Sequence, residues 1–305
     1  MKKFIKNNWI VIVPIALLLV WFLYGLQSFL QQYYQEVELN QKIYDECKLT
    51  NADGYGCETI EEDIERTKIP PAPLLFSYLI AGSEELYYLS ILAILFVAVP
   101  AIWGFYQDTK NGMYKNKLLR ESYKSYFLKH YKKSLKCLLI LPVFIVLAFL
   151  ITCVVSNFEF QYAPGELEYG GSFFWSSREY ARSLWIPYLF TMIASVTLHS
   201  IYYINTAYLV FYKAKNFILN TVGVYLAYLL TQVVLVSLVG MFFGRVLKMG
   251  EFAITFEDPI IWTFGGDVDH FEYMFISSLV YVAISTLLVF LVYRKKERYV
   301  ILNEG

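Results

Sequence analysis

Six stretches of this chain, residues 9–30, 86–105, 137–156, 184–205, 217–243 and 275–293, contain no Asp, Glu, Lys or Arg. Each is close to the roughly 20 helical residues needed to cross a hydrocarbon core. A backbone inside a bilayer must satisfy its own polar groups, so helices are the natural form of such runs. The sequence therefore reads as all-α: a polytopic membrane protein with six transmembrane helices in a single domain over residues 1–305. Charged residues make up 17% of the chain, against about a quarter in soluble domains. The first run follows Met-Lys-Lys. Its apolar core outlasts a signal-peptide h-region of about 7–15 residues and no small-x-small site follows, so it is expected to stay uncleaved.

The charges between the runs are segregated by sign. Residues 1–8, 106–136, 206–216 and 294–305 hold 18 Lys/Arg and 4 acids, whereas residues 31–85, 157–183 and 244–274 hold 8 Lys/Arg and 22 acids. Basic loops stay on the cytoplasmic side. Both termini are thus expected in the cytoplasm, and the three acidic segments form large extracytoplasmic loops. Within residues 31–85, a helical part is expected around residues 57–68, and Pro70, Pro71 and Pro73 are expected to stop it. Residues 74–82 are apolar but short, which suggests an interfacial helix. Cys47 and Cys57 share this loop, where a disulfide can form and persist. Cys137 and Cys153 fall in the third run and have no metal-ligand companions.

Enzyme signatures are missing. The stretch Glu61-Glu62-Asp63-Ile64-Glu65-Arg66 matches an EExxxR pattern of intramembrane proteases, but it lies in a charged outer loop and reads as a solvated helical face. There is no HExxH, GxSxG or phosphate-binding loop, so the chain is expected to have no ATPase activity of its own and no bound cofactor or metal. The runs also lack the ionisable residues that ion-coupled transporters keep in the bilayer, apart from His199. His199 shares a helical face with Thr191 and Ser195. A comparable stripe joins Thr221, Tyr225, Tyr228 and Gln232 in the fifth run. Three readings stay open for these stripes: hydrogen bonding between helices, the lining of a substrate path, or, for His199, a proton relay. Aromatics, 19% of the chain, fit the two membrane interfaces.

The most patterned connection is residues 108–136, which carry nine Lys/Arg and two acids. Leu118, Leu119, Tyr123, Tyr126 and Phe127 recur at near-helical spacing with Lys on the other faces, which marks an amphipathic helix suited either to a protein partner or to anionic headgroups. The second run ends in an acid, Asp108, with Gly112 four residues on. Then come Leu118 or Leu119, Arg120, Ser122 and a trailing Lys129. This pattern, over about residues 100–136, resembles the permeases of type-2 ABC exporters, as do six spans with both ends inside and a broken apolar segment at residues 252–264. Asp108 stands where that family usually has Glu, the helix before the first span is nearly missing, and the first outer loop is long.

The resemblance implies that the loop after the second span docks into a groove on a cytoplasmic ABC ATPase subunit, through Asp108, Gly112, Leu118, Leu119, Arg120, Ser122, Tyr126 and Lys129. It further implies ATP and Mg on that partner, a second permease copy or sister permease, and a place in a bacterial cell membrane among its lipids. Nothing points to nucleic acid. The alternative is a non-transporting membrane sensor or assembly protein that binds through its acidic outer loops.

Overall fold

A computed structural model describes residues 2–49, 69, 71–82, 84–160, 185–212, 216–248 and 271–303. Among the described residues the chain is helical, with no strand. Helix α1 covers Lys2–Leu49, α2 Ala72–Gly82, α3 Glu84–Lys110, α4 Met113–Leu118 and α5 Tyr123–Ser134. A 3-10 turn, Leu135–Leu139, leads into α6, Ile140–Val155. Then follow α7 Trp185–Phe211, α8 Phe217–Val239 with a π-helical end at Gly240–Val246, and α9 Phe271–Asn303.

Three helical runs are long and apolar enough to cross a membrane: Asn8–Leu49, Tyr88–Lys110 and Tyr123–Val155. In the last of these, the uncharged part begins at Cys137, and α5 with its lysines precedes it. Helices α8 and α9 contain shorter apolar stretches, Phe217–Thr231 and Ser278–Arg294. Helix α7 has 27 residues but is diluted by Thr, Ser, His, Tyr and Asn side chains. That polarity is sustainable because α7 is enclosed: it packs against α3, α6, α8 and, most extensively, α9. Its Ser195, Ser200 and Asn205 are fully buried.

Several expected boundaries shift. The first outer loop begins as helix, because α1 continues without a break from the apolar run to Leu49. Its extension is rich in good helix formers and carries an i,i+4 pair, Glu38–Lys42, at 2.8 Å. Two residues of the proline cluster, Pro71 and Pro73, open helix α2. Pro71 lends its carbonyl to the amides of Leu74 and Leu75, and Pro73 sits in the first turn, where a missing N–H costs nothing. Helix α2 packs into the bundle. Leu75, Phe76, Leu79 and Ile80 are at most 3% exposed, Phe76 meets Phe149 of α6 edge-on at 5.4 Å, and the Ala72 amide donates to the Glu159 carbonyl. Helix α7 runs six residues beyond its expected end, and α9 continues through the basic stretch after residue 293. The expected helix at residues 57–68 and the broken segment at residues 252–264 lie outside the described residues, as does the EExxxR stretch.

Candidate functional site

The basic segment folds back onto one end of the bundle. Helix α3 runs past its apolar stretch to Lys110, which puts Asp108 in its last turns. Gly112 then turns the chain at φ 67°, a left-handed conformation that favours glycine, and α4 follows. After a second turn, Ser122 opens α5 by accepting a hydrogen bond from the Ser125 amide at 3.3 Å. The result is a helical hairpin with α4 and α5 lying against α3.

A small charged cluster locks this hairpin. Asp108 is only 6% exposed, and its Oδ2 contacts Lys117 Nζ of α4 and, at 2.8 Å, His130 Nε2 of α5. One carboxylate thus ties three elements together, as a buried charge must be paired to be tolerated. Lys117 also approaches the Tyr126 ring, 5.9 Å from its centroid. On the outer side, Lys129 pairs with Glu121, which accepts from Ser125 Oγ at 3.3 Å.

Beneath the cluster lies an aromatic floor. The Phe105 ring is within 6.3 Å of Tyr126, His130, Tyr208, Phe211 and Tyr293, and Phe127 stacks on Tyr293 at 4.1 Å. Tyr131 of α5 donates to Asn205 Oδ1 at 2.7 Å, and the Asn205 amide donates to Ser285 and Thr286 of α9. Helix α5 is therefore fastened to α7 and α9 through a buried polar chain as well as through rings.

The residues expected to face a partner divide accordingly. Asp108 and Tyr126 are buried, so they shape the hairpin from inside and present nothing outward. Gly112 and Ser122 are turn and cap residues, and half-buried Leu118 packs against the core. Outward stand Leu119, 86% exposed, with Arg120, Lys124 and Lys129. Leu119, exposed at the turn tip beside Arg120, packs against nothing in the hydrophobic core of the described residues.

The polar stripes of the apolar runs converge only in part. His199 and Tyr228 meet Tyr202, Thr231, Ser278 and Tyr281 around a void of about 10 Å³, room for roughly one water. His199 Nδ1 lies 2.9 Å from the Ser195 carbonyl and 3.5 Å from its hydroxyl. Thr191 and Thr221 bond back to carbonyls of their own helices, Tyr225 is half-buried, and the Gln232 side chain lies outside the described residues. Cys47 is disulfide-bonded; its expected partner Cys57 lies outside the described residues. Cys137 and Cys153 are free and buried.

Sequence reasoning missed Lys117, His130, Tyr131 and Asn205 as members of the cluster and its anchor. The one available signal was spacing, since Tyr126 and His130 lie four apart on the same face of α5. The chain matches no protein-family model, and neither the curated proteins nor the solved structures contain a match to it.

Proposed function

We propose that the chain is the membrane-spanning permease subunit of an ATP-driven ABC transporter, an exporter, coupled through residues 108–136 to a separate cytoplasmic ATPase. In this reading it crosses the cell membrane six times with both termini inside. It works with a second permease, and ATP and Mg stay on the partner.

The observation that carries the proposal is the braced tip. Force passed from an ATPase must reach the spans through a contact that does not give way. Leu119 and Arg120 stand exposed at the turn between α4 and α5, while Asp108, Lys117 and His130 fix the base of that turn to the end of α3. The Tyr131–Asn205–Ser285 chain carries the connection on to α7 and α9. A push on the tip is thereby delivered to three long helices at once. A leucine flanked by cations suits a groove with an apolar floor and an acidic rim.

Arg120→Glu tests this by reversing the tip charge outside the packed core. Purified from native membranes, the wild-type chain should bring an ABC-type ATPase with it, and Arg120→Glu should lower the retained ATPase by roughly tenfold, about 1.4 kcal/mol. Lys132→Glu, an equal charge change on exposed α5 surface away from the tip, should retain it. If no ATPase accompanies the wild type, or if both variants retain it equally, the permease reading fails.

A further inference from the structure

We propose that a cavity between α1, α3 and the end of α5 binds the phosphate of an anionic phospholipid. This goes beyond the permease reading and rests only on its placement of the basic segment at the membrane surface. The cavity has a volume of about 70 Å³. That is space for several waters where one needs roughly 10–15 Å³, so it fits a phosphate and its glycerol linkage but not a whole lipid.

Its walls have two chemistries. Its lining includes apolar Ile10 and Val11 of α1 and Pro100 and Ala101 of α3, together with the polar Asn8, His130, Lys133 and Lys136. On two of these elements the change from polar to apolar sequence happens at the cavity itself, between Asn8 and Trp9 and between Lys136 and Cys137. An opening at that boundary faces headgroups on one side and acyl chains on the other. Cations at this depth attract anionic headgroups.

The lysines are free to act. Both are exposed, and among the described residues neither joins an ion pair. The neighbouring carboxylate, Asp108, is already matched by Lys117 and His130, so it leaves the lysine charge uncancelled.

A second, independent observation is Gly104, which lines the same cavity. Glycine in a helix interior is unfavourable relative to alanine, and it is usually explained by a close neighbour. Here a Cβ would meet nothing within 4 Å. The space beside it is open, so a small side chain would be accommodated there and only a large one would fill the cavity. The chains of the bound lipid would lie along Ile10, Val11 and Pro100 while its phosphate sits against the two ammonium groups.

Native mass spectrometry of the delipidated full-length chain tests this, titrating phosphatidylglycerol, phosphatidylcholine and glycerol 3-phosphate in separate arms. Phosphatidylglycerol should bind in preference to phosphatidylcholine, and glycerol 3-phosphate should bind far more weakly because it has no chains. The double variant Lys133→Gln/Lys136→Gln should lose roughly thirtyfold in affinity for phosphatidylglycerol, from the loss of two membrane-proximal charges. Gly104→Leu should fill the cavity and lower binding likewise, whereas Gly104→Ala should stay near wild type. Equal binding of the two lipids, wild-type affinity in the lysine variant, or glycerol 3-phosphate binding as tight as the lipid would each overturn the proposal. If Gly104→Leu fails to fold by circular dichroism, the exposed lysine pair decides alone. No ATPase is present in this measurement, so its result stands apart from the test of the permease reading.

Discussion

His130 is where burial and charge pull in opposite directions. Burial pushes its imidazole below the ordinary value of 6.5, and Lys117 and Lys133 push the same way. The contact with Asp108 pulls upward but does not win. The neutral ring is thus favoured in the folded chain. When pH falls below about 6.5, the unfolded state takes up the proton more readily, so stability is lost as pH drops through the folded pKa and is fully present above 6.5. The melting temperature should therefore hold between pH 8 and 7 and decline toward pH 5. His130→Gln should lessen that decline, because Gln keeps a donor near Asp108 without titrating. Parallel pH profiles for wild type and variant, measured by thermal unfolding in detergent, would sink this account. None of it could be read from residues 108–136 as a string, where His130 is one ring among many lysines. Its meaning comes from Asp108, 22 positions earlier, and that proximity exists only once α3 outruns its apolar stretch.

At the level of elements, α5 shows what a pattern can and cannot say. The amphipathic spacing pointed to one helix through Leu118, Leu119, Tyr123, Tyr126 and Phe127, but the chain turns at residues 119–122; Tyr123, Tyr126 and Phe127, joined by Tyr131, form the buried face of α5 alone. The sequence motif treated Ser122 as part of a docking signature, whereas the fold uses it as the helix N-cap. These uses separate experimentally. Ser122→Ala should destabilise the chain by about 1 kcal/mol, and Ser122→Asp, an equally good cap, should restore stability as measured by thermal unfolding. A loss with Asp as large as with Ala would show that the hydroxyl serves something other than capping. The three helices long and apolar enough to cross a membrane were legible because charge is excluded from hydrocarbon. Their ends were not, because a helix continues into water wherever propensity allows, as α1 does to Leu49. Asn205 was hidden for another reason: its partners Tyr131, Ser285 and Thr286 are 74, 80 and 81 residues away, and no local period encodes such distances. Helix α2 was not legible from its prolines, since a residue suited to end one helix is also suited to begin the next.

For the whole molecule the decisive question is sidedness, and two unrelated observations bear on it. The segregation of 18 Lys/Arg from 22 acids is the ground on which the proposed topology puts the α4–α5 hairpin in the cytoplasm. Cys47, at the far end of α1, is in a disulfide, which suits an oxidising compartment on the other side. On the proposed topology one crossing, α3, lies between them. The arrangement can be checked with single cysteines, because the free native thiols, Cys137 and Cys153, are each 2% exposed and should stay silent to a charged maleimide. Leu39→Cys replaces a side chain 57% exposed on the outward extension of α1; Lys129→Cys replaces an exposed one on α5. The first should label in intact cells and the second only after the membrane is permeabilised. Neither substitution removes a buried contact, so expression should match wild type. Labelling of both from the same side would mean that α3 does not cross between them. The braced tip would then lose its access to a cytoplasmic ATPase, and six crossings with both termini inside could not stand.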